Sequence, residues 1–117
     1  MTQENKELLL KDLCARLPYG VKIKLIRWDI DEGMYINTTL EPDDIERLFN
    51  VEEDDTEIKP YLFPLSSITK KRLEELSEYI DIKNAYVAVE LLNSHHIDYR
   101  GLIEKGLAID ATGLGIY

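Results

Sequence analysis

Cysteine is nearly missing from this sequence: Cys14 stands alone among 117 residues. A lone thiol excludes an internal disulfide, disfavours a thiolate zinc site and points to a reducing cytoplasm. Long hydrophobic runs are missing too, with none near the ~18 residues that a membrane span needs. The opening residues, MTQENKELLLKD, are acidic and polar before a short leucine triplet, which is not the pattern of a signal peptide. Positive charge is in deficit, with 14 Lys and Arg against 23 Asp and Glu, for a net charge of −9. A field of that sign repels phosphate backbones and disfavours direct nucleic-acid binding.

What is present suits one domain spanning 1–117. A chain of this length buries roughly two-thirds of its unfolded surface, enough for a real core. Hydrophobic residues at 44% and charged residues at 32% are ordinary for a globular protein. The charge imbalance is local. Residues 1–40 hold six acids against six bases, and 58–117 hold eight against seven. Residues 41–57 hold nine acids against Arg47 alone.

Leu10, Leu13, Cys14 and Leu17 recur at helical spacing, so 4–17 reads as a helix with Cys14 on its apolar stripe. Asp12 and Arg16 fall on its polar face, and Pro18 and Gly20 end it. Val21–Ile30 alternates as a strand whose apolar parity switches at Leu25–Ile26. The switch implies a bulge there or cover on both faces. Asp31-Glu32-Gly33 turns the chain into a partner strand, Met34–Leu40, with Met34, Ile36 and Leu40 inward. Pro42 opens a short helix with Asp43 and Asp44 at its positive end and Ile45, Leu48 and Phe49 as anchors. An acidic loop, Glu52–Asp55, follows. Pro60 and Pro64 make Ile58–Leu65 an edge strand or polyproline-like segment. Helices are expected from Ser66 or Ser67 to Ile80, with Lys70, Lys71 and Arg72 against its dipole, and from Asn84 to about His95, with Ala85, Ala88, Val89 and Leu92 inward. The fullest local signature is IDYRGLIEKGLAID. Asp98 reads as an N-cap, Ile97 and Leu102 as a staple, and Gly106 as the left-handed stop of a helix, before a strand at 107–110. The Gly-rich tail from about 111 reads as loosely held.

The chemistry-bearing residues are few. His95, His96 and Asp98 form the one cluster with imidazoles, a weak metal or acid–base candidate, since adjacent helical positions diverge by about 100°. Histidines in a last helical turn are independently favoured by the dipole. Asp29-x-Asp31-x-Gly33 resembles the start of a calcium loop, but Leu40 stands where the twelfth-position glutamate belongs. Ser67-Ile68-Thr69-Lys70 copies a Ser-x-x-Lys motif without its companions. Gly101-x4-Gly106 lacks the Lys-Ser/Thr of a phosphate loop. Asn37-Thr38-Thr39 is a glycosylation sequon without a secretory context. No catalytic set and no cofactor motif emerges. Tyr61 and Phe63, flanking Leu62 on the opposite face, resemble the aromatic surface of protein interfaces.

At LLLKDLCARLPYGVK (Leu8–Lys22), IKPYLFPLSSIT (Ile58–Thr69) and NSHHIDYRGLIEKGLAID (Asn93–Asp110) the chain resembles a family of small acidic proteins from gut anaerobes and their prophages. That family has no assigned activity, so the resemblance carries no site residues. It implies an intracellular bacterial or phage accessory protein.

The expected fold is α+β: a small antiparallel sheet, hairpin plus edge strand, packed against three to four helices. The expected function is a non-enzymatic protein–protein interaction module using Tyr61, Phe63, Asp54 and Asp55. One alternative is an acidic nucleic-acid mimic whose 41–57 ridge occupies the basic groove of a nuclease or repressor. A second is a metal-binding or hydrolytic protein using His95, His96 and Asp98.

Overall fold

The computed structural model describes residues 2–27, 34–50, 56–67, 74 and 85–117. Helix α1, Gln3–Arg16, starts at Thr2, whose hydroxyl accepts the Asn5 N–H at 3.1 Å. Its buried face is Leu9, Asp12, Leu13 and Arg16. That face lies one residue, about 100° around the helix, from the expected stripe. Cys14 is therefore exposed rather than a core residue. The triplet Leu8-Leu9-Leu10 satisfies either phase, and Leu13 belongs to both. The phase is selected by partners that Asp12 and Arg16 meet far along the chain. A short 3-10 turn, Leu17–Tyr19, and Gly20 at φ 67° end the element as expected.

Strand β1, Lys22–Arg27, pairs antiparallel with β2, Met34–Thr39, in one unbroken register from Lys22↔Thr39 to Arg27↔Met34. There is no bulge at Leu25–Ile26. Ile26 is partly covered, so the parity switch marks a strand with some cover on its second face. The Asp31–Gly33 turn and the calcium-like stretch from Asp29 lie outside the described residues. Ile36, expected inward, is 46% exposed, whereas Leu40 is buried. Helix α2, Pro42–Asn50, begins where proline and two acids predicted. The Asp44 carboxylate accepts the Glu41 N–H at 2.9 Å, half of a capping box.

Strand β3, Thr56–Pro64, is the hub of a mixed five-stranded sheet. It pairs antiparallel with β1 as far as Ile23↔Pro60. It then pairs parallel with β4, Ile97–Asp98, through Phe63 and Pro64, and with β5, Ile109–Asp110, through Tyr61 and Leu62. The α+β class holds. The wholly antiparallel sheet with 58–65 at its edge does not. Pro60 stands at the last β1 rung and Pro64 is the last strand residue, so both occupy places where a ladder changes or stops. The sheet order β2-β1-β3-β4 sets Ile23, Leu25, Ile58 and Leu62 against Leu9 and Leu13 of α1 as the core.

Helix α3, Ala85–Ser94, is the third α-helix among the described residues. Val89, expected inward, is exposed, and the buried side chain near its end is Asn93. The helix expected from Ser66–Ser67 to Ile80 falls almost wholly outside the described residues, as do Lys70, Lys71 and Arg72. Residues 97–106 are not a helix. Gly101 sits at φ 76°, a left-handed conformation that blocks a helix starting at Asp98. Only one turn fits before Gly106, at φ 73°, where Leu107 N–H reaches the Leu102 carbonyl and Gly106 N–H that of Ile103. Those two bonds are the Schellman stop expected of Gly106. The tail from 111, expected to be loose, is tied at both ends. Ala111 is buried, and the Tyr117 hydroxyl donates to the Tyr61 carbonyl (2.6 Å) while accepting the Lys22 N–H (2.8 Å). Among the described residues, no helix is long and apolar enough to cross a membrane.

Candidate functional site

Helix α3 ends at Ser94, and His96 takes a left-handed φ of 60° that turns the chain into β4. Its carbonyl accepts the Phe63 N–H at 2.8 Å. The imidazole stacks on the Tyr117 ring, centroids 4.0 Å apart, while His95 is exposed. Burial and the nearby Arg16 charge, with a smaller contribution from His95, hold the His96 pKa down at about 4. Asp98 is buried with both oxygens engaged, accepting Leu102 N–H at 3.0 Å and Ile103 N–H at 2.9 Å. These three residues therefore act as a helix end, a chain reversal and a cap. Among the described residues, no group of three His, Cys, Asp or Glu side chains could hold a metal ion.

Behind His96 lies a cluster that the sequence reading assigned to the surface. Asp12 accepts Arg16 Nε at 2.8 Å on one oxygen and Arg100 Nη1 at 2.7 Å on the other. Arg16 and Asp12 are fully buried, and Arg16 also donates to the Ile97 carbonyl. The Tyr99 ring contacts both guanidiniums, at 5.3 Å from Arg16 and 4.5 Å from Arg100, and its hydroxyl donates to Asn93. The i, i+4 spacing of Asp12 and Arg16 was the signal available in the sequence, but exposed helices use the same spacing. The cluster ties α1, the end of α3 and β4 together. A surface cavity of about 260 Å³ adjoins it, bordered by Pro64–Ser66, Asp98, Tyr99, Gly101, Ile103 and Glu104. Its walls hold no imidazole or thiol, and the Asp98 carboxylate is already engaged.

Of the residues expected at an interface, Asp54 and Asp55 lie outside the described residues. Tyr61 does flank Leu62 on the opposite face, but it is only 5% exposed, its hydroxyl donating to Asn37 Oδ1 at 2.6 Å. Phe63 is half-buried against Tyr117, centroids 5.6 Å apart. Both rings serve the interior of the fold more than its surface.

One exposed stretch lies on β2. Ile36, Asn37 and Thr38 are all exposed, and β2 ends the sheet order. Among the described residues, no strand pairs with its outer edge. Met34–Thr39 reads MYINTT, without the lysine, proline or bulge that commonly guards an edge. Tyr61 reaches across β1 to fix Asn37, and Lys22 Nζ donates to Thr39 at 2.6 Å, so the strand is braced from behind. Exposed Glu41, Asp43 and Glu46 follow directly, and none of the three forms an ion pair among the described residues. The missing edge guards were legible in the sequence; the strand's place at the end of the sheet was not.

No family model matches the chain, and none of the curated proteins or solved structures compared with it does either.

Proposed function

We infer that this chain is a non-enzymatic protein–protein interaction module whose contact surface is the outer edge of β2. One observation carries the reading. A six-residue strand ends the described sheet with three consecutive exposed residues and no edge guard. Strand addition to such an edge supplies main-chain hydrogen bonds for affinity, while alternate side chains supply specificity. Bracing by Tyr61 and Lys22 lowers the ordering cost of binding. The contact residues are Ile36, Asn37 and Thr38, in place of Tyr61 and Phe63.

Affinity capture with wild type and with an Ile36→Lys/Thr38→Lys variant tests this. Both positions are exposed, so the variant keeps its fold, with stability within about 0.5 kcal/mol of wild type. A partner held by wild type and lost by the variant is the expected outcome. A partner held equally by both moves the contact off β2 and overturns the reading.

A further inference from the structure

The edge of β2 is chemically uneven, and the unevenness selects a partner. Along Ile36–Thr38 it offers one apolar and two neutral polar side chains. Just beyond its C-terminal end stand Glu41, Asp43 and Glu46, exposed and without an ion pair among the described residues. Two lysines of β1 stand opposite β2, Lys22 across from Thr39 and Lys24 across from Asn37, and Lys22 is engaged with Thr39. Building on the reading of β2 as a contact edge, we propose that its occupant is an extended segment of another protein. That segment adds as a strand to Met34–Thr39 and carries lysine or arginine at the end lying beside Glu41.

Two physical terms define that occupant. The outer main-chain groups of β2, which no strand pairs among the described residues, suit any extended backbone, which fixes conformation but not sequence. The acids then discriminate by charge, raising the association rate of a basic segment and rejecting an acidic one. A second copy of this chain is disfavoured, because it brings −9 toward −9.

The test uses two short synthetic peptides of alternating threonine and valine, one with lysines at one end and the other with glutamates there. Backbone amide exchange of the full chain is followed residue by residue. With the lysine peptide at about ten times its Kd, outward-facing amides within 34–39 should exchange about tenfold more slowly. The glutamate peptide should leave them unchanged. Raising ionic strength from about 0.01 M to 1 M shrinks the screening length from roughly 30 Å to 3 Å and should weaken lysine-peptide binding. A Glu41→Gln/Asp43→Asn variant should weaken it likewise while still protecting β2 when bound. Equal protection by both peptides overturns the basic-partner inference and leaves the β2 reading standing. Protection by neither overturns both. Lysine-peptide binding that protects residues away from β2 overturns the proposed placement.

Discussion

Asp12 shows how much one buried carboxylate can hold in place. It is the shared acceptor of Arg16 and Arg100, and Arg16 is fully buried beside it. Replacing Asp12 with Ala leaves the Arg16 charge without a counter-ion and should cost about 3–5 kcal/mol. Replacing both, as Asp12→Leu/Arg16→Met, should recover most of that loss, because the desolvation of the pair disappears with the pair. Urea midpoints for the single and double variants check both statements. His96 gives a pH dependence of definite sign. Its pKa is about 4 in the fold against an ordinary 6.5, so between these values the unfolded chain binds a proton that the folded chain refuses. Its contribution is whole above pH 6.5 and is lost as the pH falls toward 4. The stability difference between wild type and a His96→Gln variant, followed across that window, should drift against wild type as the pH drops. A difference independent of pH would show that the imidazole titrates alike in the folded and unfolded chain.

At the scale of elements, the segment 97–110 carries the lesson. Parts of it were legible: Asp98 accepts two N–H groups, though from Leu102 and Ile103 rather than from a helix's first turn, Gly106 takes the left-handed stop, and of the strand expected at 107–110 Ile109–Asp110 forms. The helix between them was not built. Gly101 falls inside the expected helix, yet its φ of 76° makes it a chain reversal, leaving Ile97–Asp98 free to join the sheet. Nothing lies within 4 Å of where a Gly101 Cβ would stand, so a Gly101→Ala variant meets only the left-handed penalty. It should lose about 1–2 kcal/mol, as measured by thermal or urea unfolding. A variant as stable as wild type would mean that 97–106 can adopt the helix its caps suggest. Strand β3 teaches the same point differently. Two prolines suggested an edge, but a strand that changes neighbours at Pro60 and ends at Pro64 can be central.

For the whole molecule, contacts distant in sequence decide what is surface and what is core. Arg16 reaches a carbonyl 81 residues away, and the Tyr117 hydroxyl joins Lys22 to Tyr61 across intervals of 95 and 56 residues. Burial of that hydroxyl raises its pKa to about 12, so it stays a neutral donor at any working pH. A Tyr117→Phe variant should keep the ring contacts with His96 and Phe63 and lose about 1 kcal/mol. Slower exchange at Lys22 than at its strand neighbours should disappear in the same variant. The net charge of −9 belongs to this scale as well, since it sets which partners approach at all.

Features that depend on neighbours within a few residues are legible in the amino-acid sequence. It marked α1 and its stop at Gly20, the pairing of β1 with β2, the Pro42 start of α2, the Asp98 cap and the α+β class. Those features follow from backbone chemistry and local periodicity. Long-range packing sets which phase of α1 faces inward, makes β3 central, and encloses Tyr61 while leaving Ile36 open. Each of these turns on a partner many residues away. Leu8-Leu9-Leu10 cannot report that Arg100 waits for Asp12, and MYINTT cannot report that among the described residues no strand lies beyond it.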